Sequence, residues 1–268
     1  SFRHLKKVKI LVALRRDLLD RVFSMAKDPG FQEEKYETVQ LSLDWTADEL
    51  TAMLDKRVNK LVSSRYTSST ELSARSVFKE PKKSIEHILS RSRMRPRDVI
   101  QYVNYCIDRS IERDKISHQR VLEAELDYSQ SRLTALYDEW RGTFPNLVHL
   151  VDIVRKKAYP LTAKDLWEDR TCELKLVEIA AGDIPEDEIR KHAVELSNAA
   201  EETAKRERFL NLLLILYHVG VVALKPEGRD DYLWAHEMRM VIPLSDLSES
   251  TKVRLHPCFS KALAATTR

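Results

Sequence analysis

The segment RERFLNLLLILYHVGVVALKPEGRDDYLWAH, residues 206–236, decides the fold of the second half of the chain. Residues 206–218 are almost continuously apolar after their first charged positions, which over this length predicts a largely buried helix. Residues 220–224 form a β-branched apolar run, and residues 232–236 form a second strand candidate beyond a turn at 226–230. The sequence therefore predicts a helix that leads into a β-hairpin.

Further helices and a short strand surround this hairpin. Three helices followed by a β-wing are the order of a winged helix-turn-helix, so the second half of the chain is predicted to have that fold. The predicted elements are helices at 146–156, 163–176 and 206–218, a possible separate helix within 185–205, a strand at 252–255 and a terminal helix from Pro257.

The first half of the chain has helical patterns of its own. Apolar residues at helical spacing predict an amphipathic helix over 46–62, capped by Thr46 or Asp44. A long loop with one possible helical turn is predicted at 63–83. The remaining predicted helices run from Pro96 to about Ser110 and from Ser117 to Trp140, the second ended by Gly142 and Pro145.

A strand followed by a helix opens the chain. Residues 8–14 are apolar and rich in β-branched side chains, and residues 17–26 have a helical pattern. Residues 37–43 alternate with the period of an exposed or edge strand. Because an unpaired buried-type strand is a liability, we expect the sheet partners of residues 8–14 to precede Ser1.

Composition supports a mainly α protein. The 268 residues include five glycines, 32% charged and 7% aromatic side chains, a balance that favours helices over turn-rich β folds. The three cysteines form no C-x-x-C pair, and the longest apolar stretch, 209–224, is too short to span a bilayer comfortably. A soluble, cytoplasmic protein without a membrane partner is predicted.

Charge is distributed unevenly along the chain. Residues 56–120 contain 16 lysines and arginines against 7 acidic residues, whereas residues 123–203 contain 10 against 18. Two interpretations remain open: solvated helix faces that offset each other, or a basic face that meets phosphates.

The sequence lacks the motifs of a complete catalytic site. No glycine lies in a G-x-x-x-x-G-K-[ST] loop, whose backbone amides would wrap the phosphates of a nucleotide. There is also no G-x-S-x-G elbow, no H-E-x-x-H and no His/Cys cluster with metal-ligand spacing. Independent catalysis and a metal site are therefore not predicted, and enzyme activity would belong to a larger protein.

Four stretches carry a resemblance to a known family: residues 8–21, 36–58, 94–98 and 210–263. In this order they resemble the late core strand with its following helix, the strand and tryptophan-led lid helix, the lid motif, and the regulatory winged helix. The family is that of STAND and related AAA+-like P-loop ATPases of bacterial defence and signalling systems. The resemblance implies the end of an ATPase core at 1–35, a helical lid region at 36–143 and a winged-helix domain at 144–268. It also implies ATP or ADP with Mg²⁺, bound mostly by an upstream core, and a conformational switch driven by nucleotide exchange.

The resemblance assigns nucleotide contacts to the lid motif Met94-Arg95-Pro96-Arg97-Asp98. Pro96 would pack on the adenine, and Arg95 or Arg97 would reach the phosphates. The alternative is structural: Pro96 occupies the first position of a helix, and Asp98 complements its dipole.

Two further sites follow from the same resemblance. Arg15 or Arg16 would be a sensor arginine near the γ-phosphate, or simply a surface charge after a core strand. His256 lies at the histidine of the "MHD" motif, which is associated with the ADP β-phosphate, although Pro257 replaces the usual acid. A packed or capping histidine is the alternative.

Two other functions remain open. A winged-helix DNA-binding protein with a helical oligomerisation region would use Arg206, Arg208, Lys225 and Arg229 on the backbone, although the apolar third helix favours a protein-facing role. A scaffold that binds partner proteins is the third possibility. Expected partners are the protein's own ATPase core and other proteins or a second copy of this chain.

Overall fold

The computed structural model describes residues 10–14, 19, 22, 39–41, 43–65, 73–235 and 242–267. The chain forms two compact units, Ser1–Asp44 and Trp45–Arg268. In the first unit, residues 10–14, 39–41 and 43 form no strand and are exposed, so both predicted strands are wrong at these positions. An apolar run becomes a strand only when another strand pairs with it. The other positions of these strands, and the predicted helix at 17–26 apart from the helical Leu19 and Val22, lie outside the described residues.

The second unit begins with five helices. Residues at their ends determine where these helices begin, and the sequence predicted the starts of α1, α4 and α5. Thr46 caps α1 through a reciprocal capping box, in which Glu49 N donates to Thr46 Oγ1 at 3.2 Å and Thr46 N donates to Glu49 Oε2 at 2.8 Å. The helices are α1 Ala47–Arg65, α2 Ala74–Val77, α3 Pro81–Arg91, α4 Pro96–Asp108 and α5 His118–Trp140.

The predicted loop at 63–83 is too long at both ends. Helix α1 continues to Arg65, and Pro81 is the first residue of α3 rather than part of a loop. Proline fits that position because the first helical N–H needs no intrahelical partner.

Five further helices follow, and several predicted bounds change. The helix predicted at 146–156 is α-helical only over Leu147–Val151, and the possible helix within 185–205 covers Glu188–Asn198. The helix predicted at 163–176 is broken because the Asp169 carboxylate accepts from Thr171 N and Cys172 N and starts a new helix there. The helix predicted from 206 begins at Glu202. The helices are α6 Leu147–Val151, α7 Ala163–Trp167, α8 Arg170–Ala181, α9 Glu188–Asn198 and α10 Glu202–His218, with a 3-10 turn at Asp152–Val154.

Short strands complete the unit. They are β1 Ala158–Tyr159, β2 Leu161–Thr162, β3 Val222–Lys225, β4 Lys252–Leu255 and β5 Thr266–Thr267. An antiparallel sheet has the order β2-β4-β3, and β1 pairs with β5 in parallel.

The predicted hairpin is only partly present. Residues 232–235 contribute a single bridge, Leu233 to Leu224, and the long partner of β3 is β4 instead. The predicted terminal helix from Pro257 is one 3-10 turn, Pro257–Phe259. Which strand pairs with β3 depends on residues far apart in the sequence, so a turn signal alone does not determine it.

One core runs through the second unit, which is mainly helical as predicted. Helix α5 packs against α4 and against the 3-10 turn at Pro257–Phe259. Tyr102 of α4 and Tyr128 of α5 stack at 4.4 Å between ring centroids, and Ala262 N donates to Ser129 Oγ at 3.0 Å. The helices of the first half of this unit are thereby joined to its C-terminal segment.

Candidate functional site

A group of charged side chains surrounds the N-terminus of α4. We call Arg93, Arg95, Arg97 and Arg132, together with Asp98 between them, the arginine cluster. Four of these residues come from the short connection between α3 and α4 and the first turn of α4, and Arg132 comes from α5. Met94 has a φ of 50°, in the left-handed region, and Arg95 is extended, so the backbone turns sharply before Pro96 starts the helix.

Asp98 lies at the centre of the cluster and is fully buried. Its Oδ1 is 3.4 Å from Arg132 Nη1 and 3.9 Å from Arg97 Nε. Arg132 is itself only 3% exposed and also donates to Gln101 Oε1 at 3.4 Å. Neither Asp98 oxygen has a hydrogen-bond partner among the described residues. The carboxylate therefore depends on the surrounding guanidinium charge.

Arg93 connects the cluster to the C-terminal half of the unit. Its Nη2 donates to Val219 O at 3.4 Å, at the C-terminal end of α10. Gly220 has a φ of 78°, and a Cβ at this position would overlap with the Arg93 guanidinium. Burial lowers the pKa of Arg93, and the neighbouring Arg95 charge lowers it further. The absence of a side chain at Gly220 is thus what lets a buried arginine lie over the end of α10.

The cluster carries net positive charge. The groups that act electrostatically on Arg93 are Arg95, the Cys258 thiol and the carboxylates of Asp98 and Glu139. Burial raises the pKa of Cys258 to about 12, so this thiol stays neutral at physiological pH. Four guanidinium groups therefore face two carboxylates, at the positive end of the α4 dipole. Such an arrangement favours a bound anion.

The predicted lid residues lie in this cluster. Pro96 is the first residue of α4, and the buried Asp98 lies in its first turn, as the structural interpretation requires. Arg97 is 68% exposed, whereas Arg95 is partly buried. Arg95 and Arg97 are available to a ligand in different degrees, and their predicted contact with phosphates stays a prediction.

His256 has a capping position. It is buried, Cys258 N donates to its Nδ1 at 3.2 Å, and its ring lies edge-on to Trp234 at 4.9 Å between centroids. This geometry agrees with the capping interpretation, and a phosphate-sensing role stays a prediction. Arg93 and Arg95 act electrostatically on Cys258, two residues further on, so the two predicted motifs are neighbours. Arg15 and Arg16 lie outside the described residues.

The residues predicted for DNA binding are mostly engaged within the chain. Arg206 Nε lies 2.7 Å from Glu249 Oε1, and Arg208 Nε lies 3.1 Å from Glu195 Oε2. Lys225 Nζ donates to the Asp230 carbonyl at 2.5 Å, and Arg229 is exposed in the turn that follows β3. Paired arginines offer less charge to a DNA backbone than free ones.

A second buried polar cluster joins α3 to α5. His87 Nε2 lies 2.9 Å from Glu125 Oε2, and Arg91 Nε donates to Glu125 Oε1 at 3.2 Å. Burial raises the pKa of Glu125, but the His87 hydrogen bond and the Arg91 charge outweigh it, so the net pKa is lowered. Sequence analysis missed this cluster, and it missed Arg93 and Arg132 as well. The available signal was the position of Glu125 and Arg132 on the apolar face of α5.

The lowered pKa of Glu125 predicts a pH-dependent contribution to stability. A carboxyl group with a lowered folded-state pKa stabilises the fold above its unfolded pKa, about 4.3, and the contribution disappears as pH falls through the folded pKa. Glu125→Gln is expected to lower the free energy of unfolding by about 1–3 kcal/mol at pH 7. Urea unfolding between neutral and strongly acidic pH should show this difference vanish.

Glu123→Gln is the control for this prediction. Glu123 is on the same helix, but its pair with Arg120 at 2.6 Å is partly exposed, so little change is expected. An equal cost of Glu125→Gln at every pH would refute the assigned role of the carboxylate.

Comparison with known proteins gives one match. Residues 48–137 match the family model of a FunZ-associated C-terminal helical domain. The matched range extends from α1 into α5 and contains every residue of the arginine cluster. No curated protein and no solved structure matches.

The match fits the prediction of a C-terminal helical domain within a larger protein, while P-loop ATPase parentage stays a prediction. In the described part of the chain, every helix is too short or too polar to cross a membrane.

Proposed function

We propose that this chain is the regulatory helical part of a P-loop ATPase, and that its arginine cluster faces the phosphates of ATP or ADP held by an upstream core. The observation that carries the proposal is the set of four arginines around one buried aspartate at the start of α4. Guanidinium groups at a helix N-terminus are suited to phosphate because both the side chains and the helix dipole favour negative charge.

The four arginines differ in solvent exposure, and we assign them different roles accordingly. Arg97, with 68% of its side chain exposed, would contact the phosphates, and Arg95 would support it from the edge. Arg132 and Arg93 are buried and hold the turn in place through Asp98 and the α10 terminus. The nucleotide and its Mg²⁺ would supply the phosphoryl chemistry in the core, and the residues of this chain would sense the phosphate charge.

The same arrangement would transmit the nucleotide state. ATP carries one more phosphate than ADP, so the two nucleotides would interact differently with a positively charged lid, and such a difference shifts a conformational equilibrium. Arg93 connects the lid turn to Val219 and hence to β3. A movement of the α4 N-terminus would therefore be transmitted to the C-terminal half of the unit.

The winged-helix part of the proposal has support from the sheet. In the sheet, β4 lies between β2 and β3, and β3 follows α10 along the chain. This arrangement is compatible with a small wing beside helices. The apolar side of α10 is buried, including Phe209, Leu212, Leu213 and Leu216, so this helix is suited to packing rather than to a DNA groove. We propose a protein-facing regulatory winged helix, in a defence or signalling ATPase.

Nucleotide affinity of the full-length protein tests this proposal. Combined Arg95→Ala and Arg97→Ala substitution is expected to weaken ATP binding about tenfold, or about 1.4 kcal/mol, because charge-assisted contacts to phosphate are lost. Isothermal titration calorimetry would measure it.

Arg141→Ala is the matched control, since Arg141 is exposed at the end of α5 and, among the described residues, its ion pair is the local one with Asp138. ATP affinity that is unchanged in a folded double variant would overturn the proposal.

A further inference from the structure

We infer that the exposed surface formed by α1 and the start of α3 binds the phosphodiester backbone of nucleic acid, independently of base sequence. This goes beyond the proposed nucleotide switch and does not depend on it. We call this surface the basic face, and its residues are Lys56, Arg57, Lys60, Lys79, Lys82 and Lys83.

Helical geometry places three of these residues together on α1. Leu50 and Leu54 are buried and Val58 packs against the core, which fixes the inner side of the helix. At about 100° per residue, positions 56, 57 and 60 lie within roughly 100° of one another on the outer side. All three side chains are exposed. One side of α1 is therefore uniformly basic over this length.

The start of α3 supplies the other three lysines. Lys82 and Lys83 lie in the first turn, which contains no acidic residue, and Lys79 lies just before it. Positive side chains at a helix N-terminus are unfavourable because they add to the positive end of the helix dipole. A bound polyanion would remove this repulsion.

Helix α2 packs against both helices that carry the basic face. It contacts both α1 and α3, and Asp55 Oδ1 of α1 accepts from Ala74 N at 2.6 Å and from Ser73 Oγ at 3.0 Å. Glu80 is also occupied, because its Oε2 accepts from His118 N at 3.0 Å. Two acids near the basic face are therefore hydrogen-bonded to backbone groups of the chain.

The basic face has an excess of positive charge in the described part of the chain, although the exposed Glu86 lies one turn from Lys82 on α3. None of its six side chains makes an ion pair or a side-chain hydrogen bond there, in contrast with Arg206 and Arg208. This surface accounts for much of the excess of basic residues over 56–120.

The chemistry of the basic face favours nucleic acid over a protein partner. Stable protein interfaces have an apolar or aromatic centre. Between residues 45 and 106, Trp45 and Leu61 are the two large apolar side chains among the exposed ones in the described part of the chain, and two separate side chains do not form such a centre. Lysines and arginines without neighbouring base-reading or stacking groups contact phosphates and carry no sequence preference.

Binding of labelled nucleic acid to the 268-residue chain tests the inference. Fluorescence anisotropy would be measured with two fluorescein-labelled probes, a mixed-sequence duplex DNA and a single-stranded RNA. Their comparison shows which kind of nucleic acid supplies the phosphates. Affinity for at least one probe is expected to fall about a hundredfold between about 50 and 200 mM salt, as for roughly four phosphate contacts on a duplex.

Charge reversal localises the surface. The combined variant Lys56→Glu, Lys82→Glu and Lys83→Glu is expected to lose at least about tenfold in affinity. The control, Lys191→Glu, Lys252→Glu and Lys261→Glu, changes the net charge equally at exposed lysines elsewhere and should lose much less. Circular dichroism would verify that both variants fold.

Three outcomes would overturn the inference: binding of neither probe, equal losses in the two triple variants, or loss confined to a variant of Arg206, Arg208 and Arg229. The nucleotide proposal would be untouched by any of them, because its test uses ATP affinity and different residues.

Discussion

Asp98→Ala is expected to lower the free energy of unfolding by about 3–5 kcal/mol, because it leaves a buried charge without its partner. Asp98 is fully buried, and Arg132, its nearest cation at 3.4 Å, is 3% exposed. Arg93 is buried nearby and acts on the same carboxylate. Without Asp98, both guanidinium groups would remain desolvated and would lose this counter-charge. Urea unfolding monitored by circular dichroism would measure the loss.

Asp138→Ala provides the comparison for this variant. The pair of Asp138 with Arg141 is on the same helix as Arg132, but both side chains are more than half exposed. Exposed pairs contribute at most about 1 kcal/mol. The double variant Asp98→Ala with Arg132→Leu should recover part of the loss, since it removes the unpaired charge. Equal costs of Asp98→Ala and Asp138→Ala would contradict the role of Asp98 as centre of the arginine cluster.

Gly220→Ala is expected to cost about 2–5 kcal/mol. A residue with a side chain loses roughly 1–2 kcal/mol in the left-handed region, where Gly220 has a φ of 78°. The new Cβ would also displace the Arg93 guanidinium from Val219 O, which loses a buried hydrogen bond and adds about 1–3 kcal/mol. Thermal or urea unfolding of the variant would give the difference.

Gly228→Ala separates the two contributions. Gly228 has nearly the same φ, 79°, but no atom of the described residues lies within 4 Å of an added Cβ. This variant should show only the backbone cost. In an Arg93→Ala background, the cost of Gly220→Ala should fall to the cost of Gly228→Ala. If Gly220→Ala and Gly228→Ala cost the same in the wild-type background, Arg93 does not occupy the space beside Gly220.

Helices with local end signals could be predicted from the sequence. Helices α1, α4 and α5 begin after Thr46, at Pro96 and after Ser117, the positions that the sequence indicated, although Ser117 makes no side-chain cap hydrogen bond. A helix end depends on a few neighbouring residues, so the sequence contains enough information. Asp169 and Pro81 carried the same kind of signal for α8 and α3 and were overlooked.

Features that depend on distant partners could not be predicted. The strand that pairs with β3 is β4, separated from it by more than twenty residues, and the nearer candidate contributes one bridge. Arg93 and Arg132 are buried because Val219 and Asp98 lie against them in the folded chain. An arginine in a sequence looks like a surface residue until its partner is known.

The candidate site was predicted in part. The motif around Pro96 was singled out, and the structure places it in a positively charged turn next to the segment of His256. Its two interpretations are nucleotide contact and a structural role, with Pro96 at the first helical position and Asp98 complementing the helix dipole. They involve the same short segment and are compatible. A buried Asp98 can hold the turn while the exposed Arg97 meets a ligand.

Hydrogen exchange of the full-length protein, with and without ATP, tests the central claim most directly. If the arginine cluster faces the nucleotide phosphates, ATP should slow exchange at the amides of Arg95, Arg97, Asp98 and Val99 by at least about tenfold, which is about 1.4 kcal/mol of local stabilisation. Amides of α8, remote from the cluster in the chain, should be unchanged, and Arg97→Ala should remove the slowing. Identical exchange at these amides of the α4 N-terminus with and without saturating ATP would contradict the claim.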